Sequence, residues 1–356
     1  MGEEDERWNH NKKQTLTDEI SHRLINGDLA TKIQAAREIR SMIRNRNSSA
    51  KIRVKFAAAG VIQPLVLMLC SQHHDAREVS LLALLNLASR NERNKEQIVT
   101  CGAIPPLVKL LKFQNAGNLR ELATAAILTL SAAPNNKSTI ANSGAIPLLI
   151  QILSCGTVQG RVDAVTALHN LINTSKQDPP IVLDAAAASP LINLLKECKK
   201  SSKFADKTTG LINIISKSHE GILAITKAED GILTLVETIE DGSLVSTENA
   251  VGVLLELCMS SRSKYRELIL NEGAIPGLLR LTVDGTHEAQ NKARLLLDLL
   301  RDSAPEKRLS SSVLEKMVHE VAARVDDGSG HTVETAKILL QDMVQRSISM
   351  ASSCTP

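Results

Sequence analysis

Aromatic side chains are nearly missing from this sequence. Trp8, Tyr265, Phe56, Phe113 and Phe204 are the only five among 356 residues. Apolar residues still make up 43% of the chain, carried by Leu, Ile, Val and Ala. That mixture suits many thin helix layers better than one large globule, because small and aliphatic side chains let helices approach closely. Paired cysteines are missing too. Cys70, Cys101, Cys155, Cys198, Cys258 and Cys354 form no Cys-x-x-Cys motif and no Cys/His cluster at zinc spacing. The expectation is free thiols in a reducing compartment, with no metal and no cofactor. No apolar run reaches the length of a membrane-spanning helix, so none is expected. The acidic, polar start "MGEEDERWNHNKK" is unlike a secretory leader. Neither sign of charge dominates: 42 basic residues face 39 acidic ones. This excludes the strong basic excess of a nucleic-acid binder.

What the sequence does have is a repeated phrase. "CGAIPPLVKLLK" at Cys101–Lys112 returns as "SGAIPLLIQIL" at Ser143–Leu153 and "EGAIPGLLRL" at Glu272–Leu281. Its glycine position is held by Gly60, Gly102, Gly144, Ala187, Gly231 and Gly273, at intervals of 42, 42, 43, 44 and 42. A period this regular is the signature of a helical solenoid. Within a unit, Asn94–Thr100 reads as a short helix that Gly102 ends, since Gly tolerates the positive φ of a helix stop. Pro105 and Pro106 open a second helix, where a missing N–H costs nothing. "LRELATAAILTLSAA", Leu119–Ala133, is a longer third helix, and Pro134 closes it.

The third helices share a position near their ends, occupied by Ser41, Asn86, Thr129, Asn170, Asn213, Glu256 and Asp298. Partial units flank about six full repeats. Residues 15–46 form an N-terminal partial repeat and residues 306–348 a C-terminal one, so the solenoid is expected to span 15–348. Segments 1–14 and 349–356 are expected to be disordered.

A three-helix unit of about 42 residues bearing "GAIPxLVxLL" and "ALxNLA" resembles the armadillo (ARM) repeat. The wording of "AAREIRSMIRNRNSSAKIRV", "NKSTIANSGAIPLLI" and "KARLLLDLLRD" is similar to the ARM region of plant U-box/ARM proteins. The resemblance implies an all-α, right-handed superhelical solenoid whose third helices line a concave, ligand-facing groove. It also implies that the shared position is a partner-binding ladder. Only fourteen residues precede the first helix, too few for a U-box. The expectation is therefore the recognition half of such a protein without its catalytic half.

No phosphate-binding loop and no nucleophile elbow occurs. His73-His74-Asp75 reads as a solvated turn with Asp75 as helix N-cap. No enzyme is expected. Asn86, Asn170 and Asn213 carry amides that can both donate to and accept from a peptide backbone. Each such bond nets only about 0.5–1.5 kcal/mol, so other contacts must contribute to useful affinity. Four residues before the shared position stand Leu82, Ala125, Thr166, Thr209, Gly252 and Arg294. The importin-alpha family places tryptophan there, so nuclear-signal binding of that kind is not expected.

Charge varies along the chain. Residues 29–60 hold eight basic residues against Glu38, and Arg40, Arg44, Arg46, Lys51, Arg53 and Lys55 form a candidate basic patch. Glu256, Asp298, Glu248 and Glu288 make the late repeats acidic. These features predict a monomeric scaffold or adaptor for a protein partner or extended peptide, among them signalling proteins. The alternative is a recognition or regulatory partner in ubiquitination beside a separate U-box or other ligase component. A membrane surface is a less favoured partner. The cytoplasm, the nucleus or both are the expected compartments.

Overall fold

A computed structural model of the chain describes residues 15–44, 49–113, 118–172 and 183–301. The C-terminal partial repeat at 306–348, both end segments and Arg46 lie outside these residues. Among the described residues every regular element is helical. They form two compact units, divided between Pro190 and Leu191.

The first unit opens with α1 (15–26) and α2 (Leu29–Arg44). Glu38 accepts from both guanidinium nitrogens of Arg23, at 3.1 and 2.5 Å, tying these two helices together. Two complete three-helix repeats follow. The first is α3 (Ser49–Ala58), α4 (Ile62–Leu69) and α5 (His74–Ala88). The second is α6 (Glu92–Thr100), α7 (Ile104–Lys112) and α8 (Leu119–Ser131). In the third, a 3-10 turn at Pro134–Asn136 runs into α9 (Lys137–Ala141), then α10 (Ala145–Cys155) and α11 (Val158–Ile172). Helix α12 (Ala188–Glu197) follows the 3-10 turn Ala185–Ala187 in a fourth repeat and crosses the division.

The second unit continues with α13 (Lys203–Ile215), then α14 (His219–Lys227), α15 (Gly231–Asp241) and α16 (Leu244–Ser260). It ends with α17 (Arg262–Asn271), α18 (Ala274–Asp284) and α19 (His287–Leu300). Third helices pack side by side in each unit: α2, α5, α8 and α11 in the first, and α13, α16 and α19 in the second.

The glycine bend behaves as its chemistry requires at four positions. Gly60, Gly102, Gly144 and Gly273 all have φ between +74° and +86°, where a Cβ collides with the following carbonyl. The other two positions differ. In the fourth repeat Ala187 ends a 3-10 turn capped by the Asp184 carboxylate, so no left-handed residue is needed. In the fifth, Asp230 takes the left-handed conformation at φ +53°, and Gly231 is already helical. Gly231 is needed for space instead: a Cβ there would lie 2.3 Å from the carbonyl oxygen of Ile225.

Small residues set the spacing of the third helices in the first unit. Ala83, Ala126 and Ala167, each three before the shared position, are buried. Second helices supply the aliphatic filling, as in α7, where Ile104, Leu107, Val108, Leu110 and Leu111 are all buried.

Two buried asparagines stitch consecutive repeats. Asn94 Nδ2 donates to Leu87 O at 2.9 Å in its own layer boundary and to Arg53 O at 3.4 Å one repeat back. Asn136 Nδ2 repeats this to Leu130 O and Lys95 O, both at 3.1 Å. A second device joins the third helices. Asn118, preceding α8, donates to Glu78 on α5 at 2.7 Å. Ser243, capping α16, donates to Asp206 on α13, and Thr286, capping α19, donates to Glu248 on α16 at 2.5 Å.

Candidate protein-binding face

The exposed side of the third helices is where the predicted ladder falls, and the structure uses each member differently. Ser41 on α2 and Asp298 on α19 are exposed, while Asn86, Thr129, Asn170, Asn213 and Glu256 are half-buried. Asn86 Nδ2 donates back to Leu82 O at 2.6 Å, and the Thr129 hydroxyl to Ala125 O at 2.8 Å, both within their own helices. Asn170 Nδ2 donates to Ser131 Oγ of the preceding repeat at 3.2 Å. Each amide can still present its remaining hydrogen and its oxygen lone pairs to a ligand.

In the second unit Asn213 Nδ2 donates to Asn249 Oδ1 at 3.3 Å. Its own Oδ1 is enclosed without a partner among the described residues, and a Cβ on Gly252 would stand 3.2 Å from it. Helix α13 is offset by one residue from the sequence alignment. Thr209 is fully buried, whereas Leu82, Ala125 and Thr166 at the aligned position are half-buried. Aligning Ile214 rather than Asn213 with Asn86 brings the buried positions of α13 into step with the others.

The late acidic residues are already paired. Glu256 bonds Lys217, just beyond the end of α13, and Asp298 lies 3.8 Å from Arg301. Glu248 receives Thr286 and lies 4.0 Å from Lys292, which also approaches Glu288 at 3.3 Å. Each of these carboxylates therefore has a cationic neighbour within the unit.

The basic patch divides. Arg44 and Lys51 are exposed, and Arg40 and Lys55 are half-buried. Arg53 points inward, with Nε donating to Asn86 O at 2.8 Å and so capping the end of α5. Burial, and then the nearby charge of Arg90, pull its pKa below the usual guanidinium value. Arg266 caps α19 in the same way through Leu300 O at 2.8 Å. Cationic caps suit the negative end of a helix dipole.

Asp75 is not the N-cap of α5. That position is His73, which makes no side-chain cap bond, and Asp75 sits in the first turn. His74, Asp75 and Glu78 have ligand atoms within 4.8 Å of one another. Asp75 lies 3.5 Å from Arg37, and Glu78 accepts from Asn118. Partners from the protein thus already engage both carboxylates.

Sequence reasoning marked Leu82 and Ala125 but not the rest of the apolar middle of this face. Leu82, Leu85, Leu122, Ala125, Leu128 and Val162 are all half-buried on α5, α8 and α11. It also passed over Asn94 and Asn136, although they recur 42 residues apart, the period of the repeat itself.

Comparison with known proteins agrees with this geometry. Residues 91–132 match the armadillo/β-catenin-like repeat, so the fold is that of armadillo repeats. Residues 137–320 match the plant U-box protein ARM repeat region, and the chain belongs to that family. U-box domain-containing protein 17 of Arabidopsis thaliana is 41% identical over 277 residues, covering 77% of this chain and 37% of that protein. U-box domain-containing protein 1 of Medicago truncatula is 33% identical over 120 residues, covering 33% of this chain and 17% of that protein. The chain therefore spans little more than a third of the first relative's length.

Among solved structures, a chain from a study of a phosphorylation switch between cadherin and β-catenin aligns with a TM-score of 0.67 at 15% identity. It covers 90% of this chain and 63% of that one. An engineered protein aligns with a TM-score of 0.59 at 20% identity, covering 90% and 76%. These two likenesses concern the fold.

Proposed function

We propose that this chain is a non-catalytic scaffold that binds an extended segment of a partner protein along the exposed face of its third helices. One observation carries the reading. Within each unit those helices stand side by side, and in the first unit they present half-buried aliphatic side chains edged by Asn86, Thr129 and Asn170. Half-buried aliphatic surface gains from being covered, and the polar edge can bond a peptide backbone without selecting its side chains. Armadillo repeats are in general binding scaffolds rather than catalysts, which supports the assignment. The cytoplasm, the nucleus or both are the proposed compartments.

The test is co-purification with Leu82→Glu, Ala125→Glu and Asn170→Ala combined in the full chain. The expected result is loss of partners with unchanged helical circular dichroism. Unchanged partners would refute the assignment of this face. A second reading, recognition or regulation in ubiquitination, is favoured by membership of a family whose relatives are U-box proteins. It predicts ligase components among the co-purified partners. It also predicts no ubiquitin transfer when the chain alone is mixed with activating and conjugating enzymes.

A further inference from the structure

The first unit's face changes character at one end. Counted back from the shared position, Arg37 on α2 stands where α5 has Leu82 and α8 has Ala125. Arg40 stands where they have Leu85 and Leu128, and Arg44 follows one turn later. The three arginines share one side of α2 at i, i+3 and i+7, and α2 packs directly against α5. The aliphatic trough on α5 and α8 therefore ends in three guanidinium groups.

Among the described residues of the unit, little neutralises them. Among the described residues Arg37 reaches only Asp75, at 3.5 Å between two exposed side chains. Arg44 is exposed, and no ion-pair partner is described for it or for Arg40. Planar guanidinium groups favour carboxylate oxygens.

From this we infer that the face takes a partner segment of defined chemistry: an extended stretch with aliphatic side chains lying on Leu82, Leu85, Ala125 and Leu128, continued by a run of Asp or Glu that meets Arg37, Arg40 and Arg44. The inference rests on the proposed function and adds to it the polarity of the ligand. The aliphatic part provides contact area, and the acidic part fixes which end of the segment lies over α2.

Two fluorescein-labelled peptides test it by anisotropy with the full chain. Both carry Leu and Val alternating with Ser; one ends in four Glu and the other in four Lys. The Glu-tailed peptide is expected to bind on the order of tenfold more tightly. The preference should vanish in Arg40→Glu with Arg44→Glu, and it should weaken with added salt. Equal binding of the two tails, or a preference that survives the arginine changes, overturns the inference. Leu82→Glu should weaken both peptides alike. If it weakens neither while the tail preference persists, the proposed face fails but the arginine site stands. Arginine-dependent binding to phosphatidylserine vesicles that exceeds peptide binding would reassign the arginines to a lipid surface. The chain's own Glu3, Glu4, Asp5 and Glu6 are a rival occupant. If the Glu-tailed peptide binds only after these four become Gln or Asn, the partner inference falls.

Discussion

Replacing Asn136 by Ala should loosen the join between the second and third repeats, whereas the same change at Asn86 should not. Asn136 is 3% exposed, and its Nδ2 bonds Leu130 O and Lys95 O, both at 3.1 Å. Two lost side-chain bonds at about 0.5–1.5 kcal/mol each predict a cost of about 2 kcal/mol. The orphaned oxygens add little. Leu130 O still receives the backbone N–H of Ala133 at 3.2 Å, and a carbonyl has two lone pairs. Asn86 is half-buried and bonds within its own helix. Water can replace that bond, and Ala favours a helix over Asn by about half a kcal/mol, so Asn86→Ala should be neutral or slightly stabilising.

A stack of repeats opens locally, so one global unfolding midpoint is a poor gauge. Native-state hydrogen exchange of the slowest amides in α6–α9 is the suitable assay. About 2 kcal/mol corresponds to roughly thirtyfold faster exchange in Asn136→Ala. Exchange accelerated less than threefold in that variant, or more strongly in Asn86→Ala, would show that the buried amide is not the joint.

Further outcomes are expected from other positions. Gly102→Ala should cost about 1–2 kcal/mol from the backbone alone, since nothing lies within 4 Å of the new Cβ. Gly221→Ala should cost more, because its Cβ would lie 1.9 Å from Ile215 O; urea titration of the pair reverses the reasoning if the order is opposite. Asp163 is 9% exposed, and burial, opposed by the Gln159 bond and reinforced by Glu121, raises its pKa. A carboxyl with a raised folded pKa contributes stability below its unfolded pKa and loses it as pH rises through the folded one. Asp163→Asn should therefore stabilise the protein at pH 7, by an amount that shrinks on acidification; thermal melts across that range check it. Burial pushes the Cys258 thiol up to about 11, whereas Cys70 and Cys155 are exposed. Timed maleimide labelling with mass spectrometry should find Cys258 slowest of the three.

The period, the helical class and the glycine–proline punctuation were legible in the sequence because they depend on local chemistry. Positive φ needs Gly within its own turn, a first-turn Pro needs no partner, and an apolar stripe is visible at helical spacing. Where another local solution exists, that legibility weakens: Asp184 caps a 3-10 turn beside Ala187, and Asp230 takes the bend before Gly231. The candidate site was legible only as a list of positions, since what Asn170, Asn213 and Glu256 do depends on residues about one repeat away.

Packing decided that Arg53 turns inward to Asn86 O, that Glu256 meets Lys217, and that Asn94 and Asn136 are joints while Asn86 faces outward. It also decided the one-residue offset of α13, because a helix is free to rotate on its axis until a neighbour buries one side. The sequence by itself determined the unit and its repetition. Tertiary structure decided which side of each unit is buried, and so which residues remain for a partner.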